Sequence, residues 1–183
     1  VAPGEFSAVI GPNGAGKTTL FNLLTGHLTK SGGRVHFDGL EITSLPAHDI
    51  VRLGMGRAFQ RANIFAEMTV LDNVHAAVLA HGRRHRHFVR PARRDTAGRE
   101  RAREVLRWVH LADAAGVRAG SLSHGDQKLL DIAIALALEP KLLLLDEPTA
   151  GMHPERRRDM IALVKRLWRD LSMTVLFIEH DMD

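Results

Sequence analysis

Phe6-Ser-Ala-Val-Ile10 is a short apolar run that reads as a buried strand, and Leu20, Phe21, Leu23 and Leu24 then recur at helical spacing. A Gly-rich segment lies between them, so the chain opens as strand, loop, helix. Gly32 and Gly33 precede Arg34-Val-His-Phe37 and the Asp38-Gly39 turn, a pattern that predicts a short antiparallel strand and hairpin beside the main sheet. From about 67 to 120 the spacing is helical, as in Ala102, Val105, Leu106 and Val109, with no strand signal. Beyond it the pattern predicts a helix near 127–138, a strand over 142–146, a helix near 155–171 and a strand over 174–178. The second of these helices carries Met160, Ile161, Val164, Leu167 and Trp168 on one face. Strands alternating with helices predict an α/β fold with a parallel sheet. We expect one domain, with a core at about 1–66 and 121–183, a small antiparallel β portion, and a helical insert at about 67–120.

Composition narrows the chemistry. The 183 residues, 45% of them hydrophobic, are enough for one substantial core. No apolar run approaches the roughly 20 residues needed to cross a bilayer, and no charged-then-apolar leader opens the chain. With no cysteine, disulfides, thiolate metal sites and thiol nucleophiles are excluded, leaving catalysis to oxygen and nitrogen groups. The formal charge of +4 is modest but uneven. Arg83, Arg84, Arg86, Arg90, Arg93, Arg94, Arg99, Arg101, Arg103 and Arg107 meet only Asp95, Glu100 and Glu104 in the same stretch. That is either a solvated helical face or a contact for an anionic partner. His81, His85 and His87 lack a nearby carboxylate to complete a ligand set, so no metal site is expected there.

Gly11, Pro12, Asn13, Gly14, Ala15, Gly16, Lys17 and Thr18 fit GxxxxGK[ST] at every fixed position, between a predicted strand and a predicted helix. Glycines let successive backbone N–H groups point inward at phosphate oxygens, and the helix N-terminus adds a favourable dipole. Lys17 is expected to reach the β- and γ-phosphates and Thr18 to ligate Mg²⁺, with Thr19 completing the nucleotide-binding run. Leu142-Leu-Leu-Leu-Asp-Glu147 is an apolar strand ending in two carboxylates at the sheet edge where α/β folds bind ligands. Asp146 suits a magnesium shell and Glu147 a general base for water.

Leu122-Ser-His-Gly-Asp-Gln127, shortly before that acidic strand, resembles the signature motif of ATP-binding cassette (ABC) ATPases. Gln60 in Gly56-Arg-Ala-Phe-Gln60 looks like the Q-loop glutamine. Glu147-Pro-Thr-Ala-Gly-Met-His-Pro154 looks like a catalytic glutamate running into a D-loop, and His180 like a switch histidine. The flanking text, Phe59-Gln-Arg-Ala-Asn-Ile-Phe, Met68-Thr-Val-Leu-Asp-Asn73 and Ala150-Gly-Met, is most similar to the ATPase subunits of bacterial branched-chain amino acid and urea importers.

The resemblance implies a P-loop NTPase core that binds ATP and Mg²⁺, with Glu147, His180 and Gln60 catalytic and Thr18, Gln60 and Asp146 around the metal. Ser123, His124, Gly125 and Asp126 would meet a nucleotide held by another subunit, since one chain cannot fold both cradles onto one ATP. It further implies permease membrane subunits, a second ATPase subunit in a homo- or heterodimer, a periplasmic solute-binding protein indirectly, and no specific nucleic acid. The protein would sit in the cytoplasm, peripheral on the inner face of the cell membrane. His124, Asp126 and His153 stand where Gly, Gln and Asp are usual, and the adenine-stacking aromatic is expected upstream of Val1, in a domain truncated at both ends. Residues 63–73 carry Ile64, Phe65, Met68, Val70 and Leu71, where the resemblance places the permease-coupling groove; packing of the insert by Phe65 and Leu71 is the alternative. A non-transport ABC ATPase acting on nucleic acid or translation through the arginine stretch, and a nucleotide-binding fragment without turnover, are the competing functions.

Overall fold

A computed structural model of the chain describes residues 1–60, 62–82 and 95–179. The elements run β1 (Phe6–Ile10), α1 (Lys17–Leu24), β2 (His36–Phe37), β3 (Leu40–Glu41), α2 (Ala47–Arg52), β4 (Met55–Ala58), α3 (Val70–His81) and α4 (Thr96–Trp108). They continue with α5 (His124–Leu136), β5 (Leu142–Asp146), α6 (Pro154–Asp170) and β6 (Thr174–Glu179). Four parallel strands form the central sheet in the order β1-β6-β5-β4, and β2 pairs with β3 in a separate antiparallel hairpin.

The leucine run of β5 is uninterrupted because the sheet is covered on both faces. Leu144 joins Phe21, Ile42, Ile50, Met55 and Ile178 in one core, while Leu143 and Leu145 belong to a larger core with residues of α3, α4, α5 and α6. Val70, Val74, Val105, Leu106 and Val109 are fully buried in that larger core beside Leu130. The predicted helical stretch therefore packs onto α5 rather than standing away from it. Side-chain caps start its helices, with Thr69 accepting from Asp72 N and Asp95 from Gly98 N.

Two elements lie outside the sequence expectation. The strand β4 was hidden because its four residues, Met55-Gly-Arg-Ala58, place a glycine and an arginine where a buried strand should be aliphatic. The short helix α2 precedes it. On α6, Met160, Val164 and Leu167 are buried as predicted, but Ile161 points outward at 37% exposure, because the buried stripe runs 160, 163, 164, 167. Trp168 does pack, donating from its indole N–H to Gly4 O and lying against Phe6.

Parallel pairing brings the carboxyl ends of all four strands to one edge. Ile10 lies opposite Glu179, Asp146 opposite Ile178, and Ala58 opposite Leu145. The loops after β1, β4 and β5 consequently open side by side, as ligand-binding loops of α/β sheets do.

Candidate nucleotide site

The loop after β1 is exposed from Pro12 to Gly16 and curls through positive φ at Gly14 (81°) and Gly16 (85°), conformations that a side chain disfavours. Gly16 is the N-cap of α1 and makes no side-chain cap, so the first amides of the helix face the loop mouth. Lys17 folds back over the loop: its Nζ donates to Gly11 O at 2.6 Å and Pro12 O at 2.9 Å. Thr18 turns toward the neighbouring strand, with Oγ1 at 3.3 Å from Asp146 Oδ1, and Thr19 stays exposed on the same turn.

Asp146 ends β5 almost fully buried. Its second oxygen accepts from Arg57 Nη2 at 2.8 Å. The next residue, Glu147, leaves the strand with φ 51°, a left-handed conformation that costs a non-glycine residue on the order of 1 kcal/mol and is common at functional sites. Its N–H still donates to Ile178 O (3.1 Å). The turn thereby aims the Glu147 carboxylate off the sheet edge, where Gln60 Nε2 donates to Oε2 at 2.8 Å. Lys17, Thr18, Gln60, Asp146 and Glu147 thus gather at one edge of the sheet.

The signature segment forms the start of α5. Ser123 is its N-cap, accepting from Asp126 N at 3.2 Å while donating from Oγ to Asp126 Oδ2 at 2.7 Å. Among the described residues no hydrogen bond or ion pair joins Ser123, His124, Gly125 or Asp126 to the phosphate loop. Asp126, where glutamine is usual, is occupied by this reciprocal cap. His153, where aspartate is usual, is exposed and caps α6 without a side-chain bond. His180 lies outside the described residues.

Sequence reading missed three buried charged residues around this edge. Arg57 donates to Asp146, to Asn22 Oδ1 (2.7 Å) and to Thr25 Oγ1 (3.2 Å), and its guanidinium stacks 4.6 Å from the Phe59 ring. Lys128 and Asp131 lie on α5, each about 4% exposed. Burial lowers the Lys128 ammonium below the usual lysine range, against the attraction of Glu179, Glu147 and Asp131. Burial likewise pushes the Asp131 carboxyl up to about 6, opposed by hydrogen bonds from the Phe59 and Asn63 amides. The available signal was a basic and an acidic residue at i and i+3 within the apolar stretch Leu129, Leu130, Ile132, Ala133.

Residues 1–150 match the family model described as ABC transporter. The chain belongs to the ABC transporter family. Its relatives include the high-affinity branched-chain amino acid transport ATP-binding protein BraF of Pseudomonas aeruginosa, 42% identical over 96% of this chain and 71% of that protein. The corresponding LivG protein of Escherichia coli is 37% identical over 98% of the chain and 72% of that protein. Among solved structures, the ADP conformation of an ABC transporter's ATP-binding cassette superposes with a TM-score of 0.86 at 34% identity, covering the whole chain and 73% of that one. A dimeric post-hydrolysis cassette bound to ADP and Pi gives 0.82 at 29% identity, over 99% of this chain and 77% of its own. The ABC ATPase assignment and the α/β fold expected from sequence therefore both stand. Within the arginine-rich stretch of this ABC ATPase, the described arginines serve surface ion pairs: Arg99 with Asp72, Arg101 with Glu104 and Glu139, and Arg103 and Arg107 with Glu100. Arg83 to Arg94, with His85 and His87, lie outside the described residues.

Proposed function

We propose that this ABC ATPase drives an importer of branched-chain amino acids by binding and hydrolysing ATP at the edge built from the loop after β1, Asp146 and the Gln60–Glu147 pair. The observation that carries this reading is that pair, a carboxylate and an amide 2.8 Å apart beside the phosphate loop, in a chain related to BraF and LivG along nearly its whole length. We keep the two-part organisation, a core at about 1–66 and 121–183 and a helical subdomain at about 67–120, as part of the proposal.

The loop amides and Lys17 bind the phosphates, which puts the γ-phosphate near Glu147. Glu147 takes the proton of the attacking water at its carboxylate, and Gln60 holds that carboxylate in place. The Thr18 hydroxyl and Asp146 carboxylate form a pair of hard oxygen donors 3.3 Å apart, which fits Mg²⁺ better than a softer metal, and the Gln60 amide carbonyl would be the further oxygen donor. When bound, that ion offsets charge on the phosphate oxygens. Among the described residues no cluster of three His, Asp or Glu offers another metal site. The α5 N-terminus, with Ser123, His124, Gly125 and Asp126, receives the γ-phosphate of a nucleotide on a second ATPase subunit, whereas the role of His180 is toward the γ-phosphate of the nucleotide held by its own chain's phosphate loop.

Replacing Lys17 with Ala should weaken binding of a labelled ATP analogue by roughly ten-fold or more, since a charge-assisted hydrogen bond is worth about 1.5–3 kcal/mol. Unchanged affinity would contradict the assignment. The reading as a whole is tested by reconstituting the protein with its membrane subunits in vesicles and measuring ATP-dependent uptake of labelled leucine; hydrolysis without uptake of any branched-chain amino acid would remove the substrate.

Among the described residues no helix is long and apolar enough to cross a membrane. The permease contact is proposed at a groove of about 950 Å³ lined by Arg52, Asn63, Phe65, Ala76, Ala80 and Ile134. Phe65 is 63% exposed there, whereas Val70 and Leu71 are buried, so of the two residues offered as packing only Leu71 packs. Asn73 holds the loop, donating to Phe65 O and Thr69 O and accepting from Phe65 N. Phe65→Asp should leave folding and ATP binding intact and abolish co-purification with the permease; normal assembly by that variant would count against the groove.

A further inference from the structure

One face of α5 holds the backbone flanking Gln60 and the main chain of Glu147. Asp131 Oδ2 accepts from Phe59 N at 2.7 Å and its Oδ1 from Asn63 N at 3.0 Å, so one carboxylate grips the backbone on both sides of Gln60. One turn earlier, Lys128 Nζ donates to Glu147 O and to Ala150 O, each at 2.9 Å, and so holds the turn that carries the carboxylate. Both groups sit in a core where aliphatic side chains would be the cheaper filling. Neither bonds to the other in the described structure; both face outward from the helix to the two loops.

We propose that Asp131 and Lys128 are positioning residues for hydrolysis, holding Gln60 and Glu147 in register from a single helix. The inference rests on the reading of Glu147 as general base. Each of the two loops leaves a strand carboxyl end, and without α5 the glutamine and the glutamate would depend on separate turns for their alignment. Misplacement by about 1 Å is enough to cost two orders of magnitude in a reaction that depends on orientation. The helix that does the holding is also the one whose N-terminus carries Ser123, so the signature segment and the two positioning side chains lie on one helix.

The test uses full-length protein carrying Asp131→Asn or Lys128→Met. The asparagine keeps one acceptor and turns the other into an amide that faces an N–H; the methionine keeps the stem and removes the donors. Both variants should lose at least about ten-fold in kcat while KM for ATP and the affinity for a fluorescent ATP analogue stay within about two-fold, because the phosphate loop is untouched. Unchanged kcat in both overturns the proposal, and so does a loss of ATP affinity parallel to the loss of kcat, which marks a general fold defect. Glu147→Gln run alongside separates the two levels: near-normal turnover in that variant overturns the general-base reading itself, whereas an inactive Glu147→Gln with fully active Asp131→Asn and Lys128→Met overturns only the positioning role.

Discussion

Glu147→Gln should release phosphate on the order of 10²- to 10⁴-fold more slowly than the parent protein while binding ATP with nearly the same affinity, since loss of a general base costs about that much. The substitution is close to isosteric. The Glu147 main chain keeps its N–H bond to Ile178 O and its carbonyl bond from Lys128, so the left-handed turn that aims the side chain is retained. An amide oxygen can also still accept from Gln60. What disappears is the ability to take a proton from water. The phosphate cradle, built from loop amides and Lys17, is untouched by the change. Phosphate release measured beside equilibrium binding of a fluorescent analogue separates the two effects. Turnover near that of the parent would exclude Glu147 as the base.

The parts of this site that were legible in the sequence are those where spacing itself carries the chemistry. Gly14, Gly16, Lys17 and Thr18 can be recognised because a phosphate loop needs particular residue types at fixed offsets, and the acidic end of β5 because an aliphatic run stops at two carboxylates. Strand alternation with helices was readable for the same reason, since a sheet covered on both faces must be built from continuous apolar runs. β4 escaped because its arginine contradicts that rule, and the contradiction is resolved only in three dimensions, where Asp146 arrives from a strand 89 residues away in sequence. Asp131 and Lys128 escaped for the converse reason. Helical periodicity records which face is apolar, but the loops that satisfy a buried charge on that face come from distant chain segments. The register that brings Gln60 to Glu147 likewise depends on the pairing of β4 with β5, which no local pattern encodes. Ser123 and Asp126 were visible as a motif, yet their reciprocal cap depends on the helix starting at His124, three residues earlier than periodicity placed it.

Arg57→Met should destabilise the protein by about 3–5 kcal/mol, the cost of breaking a buried ion pair from one side. The Arg57 and Asp146 side chains are 5% and 1% exposed, so the carboxylate left behind has no water to turn to. Asn22 and Thr25 lose a donor as well, and Phe59 loses the cation stacked on its ring. For a chain of this size each kcal/mol lowers the melting temperature by roughly 2–4 °C, so a fall of roughly 6–20 °C is expected in a thermal scan. A second substitution distinguishes the ion pair from simple packing. If the penalty comes from the stranded charge, Arg57→Met combined with Asp146→Asn should recover a large part of the lost stability, because a neutral amide is far cheaper to bury than an unpaired carboxylate. That double variant should nevertheless bind Mg²⁺-ATP poorly and hydrolyse it slowly, since Asp146 also faces Thr18. Melting temperatures that simply add, with no recovery in the double variant, would show that Arg57 contributes by filling space between α1 and β5 and not by compensating the Asp146 charge.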